Sequence, residues 1–205
     1  THDRVAIIAH RHPDLVAALI GVLRAGAVFT VVDAAYPSER IVSVLRELQP
    51  RAVMTTSALD SPVMAFLHPL LDELGCQHVA TTASVFQRVV ADSGDRHDNQ
   101  KRAYIAFTSG TTGVPKGIAG TFGPVAHFVD WYTSAFGFAA NDSFSMLSGL
   151  SHDPLLRDIF VPLAAGASIA IPDESSIMQP QSLMDWFAAQ SITCTHLTPA
   201  MCRLM

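Results

Sequence analysis

The sequence predicts an α/β fold in which partly parallel sheets are flanked by helices. Short apolar strand-like runs alternate with amphipathic helical segments along the whole chain, and the separators are the Gly and Pro signals that open and close helices. With 205 residues and 49% hydrophobic content there is material for a sizeable core, as one large domain or two small ones.

Val5–Ala9 reads as a buried strand. Pro13 then stands at a favourable first helical position, so Asp14–Arg24 reads as a helix closed by Gly26, before a second strand at Val28–Val32. Pro37 opens a helix whose apolar stripe is Ile41, Val44, Leu45 and Leu48. A strand at Ala52–Thr55, a helix at Pro62–Leu74 ended by Gly75, and a strand near His78–Ala80 follow. Residues 91–102 are the most polar stretch and predict a surface loop or hinge before a strand at Ala103–Thr108. The alternation then resumes, with helices at Pro124–Phe136, Pro154–Leu163 and Gln181–Gln190 and strands at Phe144–Leu147, Ala167–Ile171 and Thr193–Leu197. Phe128, Trp131, Tyr132 and Phe136 share helical spacing and are expected in the core.

A net charge of −5 without a Lys/Arg cluster argues against a nucleic-acid surface. The longest apolar run, Leu15–Leu23, is too short to cross a bilayer, and no signal-peptide pattern follows Thr1. Cys76, Cys194 and Cys202 are odd in number and lack metal-ligand spacing, and the histidines have no ligating partner at helical spacing. A cytoplasmic protein without a metal site of its own is expected. The low charged content of 15% predicts surface that meets protein elsewhere, and the chain reads as an internal piece of a longer one.

The strongest chemical signal is Tyr104-Ile-Ala-Phe-Thr-Ser-Gly-Thr-Thr-Gly-Val-Pro-Lys-Gly-Ile118. Gly110 and Gly113 let backbone N–H groups approach an anion, and Thr108, Ser109, Thr111 and Thr112 offer hydroxyl donors. Pro115 stiffens the turn that aims the charge of Lys116. This is a phosphate loop, yet not a Walker A loop, because Lys116 precedes Gly117 rather than a Ser or Thr.

The loop closely resembles the phosphate-loop signature of the adenylate-forming superfamily, which includes acyl-CoA synthetases, luciferases and peptide-synthetase adenylation domains. Leu23–Ile41, with its Asp33-Ala-Ala-Tyr-Pro-Ser-Glu-Arg40 turn, resembles a peptide-synthetase motif and is assigned a scaffold role. His152–Ala167 resembles the family's aromatic-Asp segment, with His152 where the aromatic usually stands. The resemblance implies that residues 1–205 are an incomplete N-terminal part of the adenylate-forming fold, a partial adenylation domain. It also implies Mg-ATP as co-substrate, with Lys116 and its neighbouring hydroxyls holding the β- and γ-phosphates while a substrate carboxylate attacks the α-phosphorus. Adenine, ribose and magnesium contacts and a C-terminal lysine are expected elsewhere in the parent, so the isolated piece is expected to be inactive.

By the same resemblance Asp153 pairs with the α-ammonium of an amino acid, and Pro154, Arg157 and His196 line its pocket beside His152. This set is similar to that of α-aminoadipate reductases and of some bacterial peptide-synthetase modules. A guanidinium and an imidazole suit an acidic side chain. Two plainer readings stand beside these. Asp153-Pro154 is a good helix start, and Arg157 on a solvent face would pair with Asp158. The parent is expected to be a ligase that passes its acyl group to a carrier-protein phosphopantetheine. An acyl-CoA synthetase-like ligase and a non-catalytic anion-binding remnant are the alternatives.

Overall fold

The computed structural model describes residues 3–56, 59, 61–81, 102–108 and 115–205, which form two compact units, Thr1–Phe122 and Gly123–Met205. Thus the expected hinge at 91–102 lies outside the described residues except for Arg102.

The first unit runs β1 (Arg4–Ala9), α1 (Pro13–Arg24), β2 (Val28–Asp33), α2 (Ser38–Leu48), β3 (Ala52–Thr55), α3 (Ser61–Leu74), β4 (Gln77–Ala80), β5 (Arg102–Thr108) and β6 (Lys116–Thr121). Its sheet has the order β4-β3-β1-β2-β5-β6, parallel except for the antiparallel β5–β6 pair. Ala6, Ile7, Ile8 and Ala9 of β1 are fully buried, as an interior parallel strand covered on both faces requires. Pro13 starts α1 as its residue type predicts, and the preceding His12 caps it, Nδ1 accepting from the Asp14 N–H at 3.2 Å. The stripe Ile41, Val44, Leu45 and Leu48 turns α2 onto a core shared with Ile8, Val53, Leu67, Leu71 and Phe107.

Strand β6 was not expected. Its glycines signal a loop, but here they make room for β5: a Cβ on Gly117 would come within 3.0 Å of Ile105 Cγ2, and one on Gly120 would overlap the Tyr104 ring.

The second unit contains α4 (Phe122–Phe136, beginning at the junction), β7 (Ser143–Ser145), α5 (Pro154–Ala165), β8 (Ser168–Ala170), α6 (Glu174–Met178), α7 (Pro180–Ala189) and α8 (Pro199–Leu204). β7 and β8 pair in parallel, and Val129, Phe144 and Val161 form a buried cluster. The expected strand at Thr193–Leu197 is reduced to one bridge, Phe144 with Cys194. Side-chain hydroxyls take part of the pairing: Thr193 Oγ1 accepts from the Ser143 N–H at 3.0 Å, and Ser145 Oγ bonds Thr195 Oγ1 at 2.6 Å. The short helices α6 and α8 were not expected. The aromatic set also departs from expectation, because Val129 is the buried residue of α4 while Trp131 and Phe136 are 56% and 61% exposed.

Leu45 is fully buried in the first unit's core. Leu45→Ala is expected to lower stability by about 2–5 kcal/mol through lost burial and a residual cavity. Urea unfolding checks this as a lower midpoint with an unchanged m-value.

Candidate functional site

The candidate residues fall on two separately folded platforms. In the first unit, β5 ends at Thr108 and β6 begins at Lys116, and these two residues are register partners. The Thr108 hydroxyl also reaches the Lys116 carbonyl at 3.5 Å, so the base of the loop is a closed hairpin mouth. Both residues are exposed. Ser109, Gly110, Thr111, Thr112 and Gly113 lie outside the described residues. A cationic side chain and a hydroxyl flanking the two ends of a Gly/Ser/Thr segment form a donor set that suits phosphate and offers no carboxylate to repel it.

In the second unit the chain leaves β7, turns through 147–153 and enters α5 at Pro154. A Cβ on Gly149 would come within 2.7 Å of His152 Cδ2, so a side chain there would displace the exposed His152 ring. Asp153 occupies the N-cap position with φ −57° and ψ −29°, but its side chain makes no capping bond. The exposed carboxylate is therefore not spent on the helix end, as the plainer reading of Asp153-Pro154 would have it.

The geometric centre is Asp158, one turn into α5. It is the single charged side chain among the buried residues described, at 0% exposure. Oδ2 accepts from the backbone N–H groups of Leu147 at 3.2 Å and Ser148 at 2.9 Å. Oδ1 accepts from Arg157 Nε at 3.4 Å and Nη2 at 3.3 Å, and Nη2 also donates to Ser148 Oγ at 3.5 Å. His196 Nδ1 approaches Oδ1 at 3.2 Å, an electrostatic contact not aligned as a hydrogen bond. On its other edge, Nε2 of His196 meets the Tyr132 hydroxyl at 3.0 Å. The result is a chain Tyr132–His196–Asp158–Arg157 drawn from α4, the 193–196 segment and α5.

Burial pushes the Asp158 carboxyl up, but the His196 contact, the Ser148 hydrogen bonds and the Arg157 charge outweigh it and hold it below the usual carboxylate range. Burial pushes the Tyr132 hydroxyl and the Cys194 thiol up, which keeps both neutral.

Arg157 and His196, expected together from the sequence, are therefore brought together, with Asp158 as the shared anion. Arg157 does pair with Asp158, yet its side chain is 29% exposed rather than fully on the solvent face. Both ring nitrogens of His196 face protein groups. Sequence reasoning gave Asp158 no site role beyond a surface partner for Arg157. Its signal was available in the spacing: Leu155, Asp158, Ile159 and Pro162 form one buried stripe of α5 with a carboxylate in the middle. Among the described residues, no cluster of three or more His, Cys, Asp or Glu could hold a metal ion. Nor is any described helix long and apolar enough to cross a membrane.

The AMP-binding enzyme family matches residues 1–205. The chain belongs to that family. Like its relatives, the AMP-binding chain has a mainly parallel sheet with flanking helices. It is similar to L-2-aminoadipate reductase of Schizosaccharomyces pombe, with 36% identity across 99% of this chain and 16% of the relative. It is also similar to syringomycin synthase SyrB1 of Pseudomonas syringae pv. syringae, with 33% identity across 96% of this chain and 31% of the relative. A crystal structure of the nonribosomal peptide synthetase FmoA3 superposes with a TM-score of 0.80 at 25% identity, covering 99% of this chain and 21% of that one. The AMP-binding chain thus spans 16% of the length of the aminoadipate reductases it matches.

Because the folded-state affinity of Asp158 for a proton is lowered, its contribution to stability is complete above the unfolded carboxylate pKa of about 4 and is lost as pH falls through the folded value. Asp158→Asn is expected to cost about 3–5 kcal/mol at pH 7, the range for removing one partner of a buried pair. The gap between variant and wild type should close below about pH 4. Denaturant unfolding at both pH values measures it, and a pH-independent gap contradicts the charge account.

Proposed function

We propose that this chain is the phosphate-loop and amino-acid-pocket portion of an ATP-dependent ligase that converts an amino acid carboxylate into an acyl-adenylate. The activated acyl group would later pass to a carrier-protein phosphopantetheine thiol. The observation that carries the proposal is the segment from Thr108 to Gly117, which joins the paired ends of β5 and β6 in a chain of the AMP-binding family.

In this reading Lys116 and the hydroxyls of Thr108, Ser109, Thr111 and Thr112, with the backbone at Gly110 and Gly113, hold the β- and γ-phosphates of ATP. A carboxylate oxygen of the amino acid forms a bond to the α-phosphorus, and the bond to pyrophosphate breaks, its electron pair leaving with that anion. Mg2+ accompanying ATP neutralises part of the phosphate charge. The chain's own task is positioning and charge compensation, which need no covalent intermediate with the protein.

Asp153 pairs with the α-ammonium, and its exposed carboxylate, committed to no cap, supports that assignment. His152, Pro154, Arg157 and His196 line the rest. Arg157 reads a distal carboxylate with the donors it does not direct at Asp158 and Ser148, which favours an acidic amino acid such as 2-aminoadipate. His196 acts with Arg157 through Asp158, since its ring faces the Asp158 carboxylate on one edge and the Tyr132 hydroxyl on the other. The parent is proposed to be cytoplasmic. The 205 residues alone are proposed not to turn over, because the motifs expected to hold adenine and ribose are not among them.

In the enzyme containing this chain, Lys116→Ala should weaken the transition state by about 2–4 kcal/mol, as when one charged donor is lost. That appears as a fall in kcat with little change in the amino acid KM; unchanged turnover shows the charge to be dispensable. Arg157→Leu should reduce or reverse a preference for an acidic over an isosteric aliphatic amino acid in ATP–pyrophosphate exchange. Retained discrimination removes Arg157 from the substrate assignment.

A further inference from the structure

We propose that Asp158 is a positioning residue that sets substrate specificity: its buried carboxylate orients Arg157 and ties it to the Leu147–Ser148 backbone that leads to Asp153. This rests on the pocket reading above and goes beyond it, because Asp158 itself touches no substrate.

Three features of the geometry carry the inference. Asp158 has no exposed surface, so its charge does nothing for solubility and must be compensated locally. Its two oxygens divide the work. Oδ2 accepts from two consecutive backbone N–H groups and so fixes the turn after β7, while Oδ1 faces Arg157 and His196. The two proposed substrate-reading groups, the Asp153 carboxylate and the Arg157 guanidinium, are therefore joined through one side chain. Ser148 reinforces the link, giving its N–H to Asp158 while its hydroxyl accepts from Arg157.

A tautomer of His196 is part of the same proposal. In this proposal the proton sits on Nδ1 of His196, which lies 3.2 Å from a carboxylate that only accepts, so that Nε2 would accept from the Tyr132 hydroxyl. Tyr132 and His196 thereby back the same oxygen, Oδ1, that Arg157 meets. The guanidinium is held by its Nε–Nη2 edge, which leaves the Nη1 end as the part that can turn to a ligand. A preset guanidinium spends less ordering entropy on an anionic side chain than a loose one does.

The test uses the enzyme containing this chain in its wild-type, Asp158→Asn and Tyr132→Phe forms. ATP–pyrophosphate exchange is measured with 2-aminoadipate and with an uncharged aliphatic isostere. Asp158→Asn is expected to raise the KM for 2-aminoadipate about tenfold or more, and at least about threefold more than it raises the KM for the isostere, which uses Asp153 but not Arg157. Tyr132→Phe, which keeps the ring packing and folds even if the first variant does not, should move the same KM in the same direction by about two- to fivefold. Nitrogen-15 NMR of the imidazole gives a reading independent of activity: His196 should be protonated at Nδ1 in the wild type. If the wild type prefers the acidic substrate and both variants keep that preference, this inference fails while the substrate reading survives. A wild type without acidic preference overturns both. A proton found on Nε2 overturns the positioning geometry whatever the kinetics.

Discussion

A single buried carboxylate governs the second unit. Transferring Asp158 out of water is costly, and the fold offsets that cost with two backbone N–H groups, a guanidinium and an imidazole, from segments far apart in sequence. Each of those donors is thereby placed. The turn after β7, the face of α5 that carries Arg157, and the segment bearing His196 all meet at one point. Replacing the carboxylate by an apolar group would remove the reason for their convergence.

The first unit solves a different problem. Its buried parallel strands and the α2 stripe form the core, and the proposed phosphate-binding segment joins the antiparallel β5–β6 pair at one edge of the sheet, between the partners Thr108 and Lys116. Glycines in β6 let the Tyr104, Ile105 and Phe107 side chains of β5 lie across it. The proposed phosphate-binding residues and the proposed amino-acid-binding residues thus lie in different compact units of the chain.

Much of this was legible in the residues. The β1–α1–β2–α2–β3 succession follows from Pro13, Gly26, Pro37 and the α2 apolar stripe, because those signals act locally. The family was also readable, from motif and resemblance, and Arg157 and His196, named together there, both face Asp158. What escaped depends on long-range packing. Gly117 and Gly120 look like loop residues until Tyr104, Ile105 and Phe107 are laid across them. The segment 193–197 has strand composition but shares its bonds with threonine hydroxyls. Trp131 and Phe136 match a core pattern that the described residues do not cover. Asp158 was passed over because adjacency to Arg157 suggested a surface pair, whereas the decisive fact is the apolar stripe around it.

The most direct measurement is calorimetric binding of two non-hydrolysable acyl-adenylate analogues to the enzyme containing this chain, identical except that one ends its side chain in a carboxylate and the other in an amide. Both should bind competitively with ATP, and the carboxylate analogue should bind at least about tenfold more tightly, as a charge-assisted contact to Arg157 requires. Equal affinities, or a preference for the amide, would contradict the account.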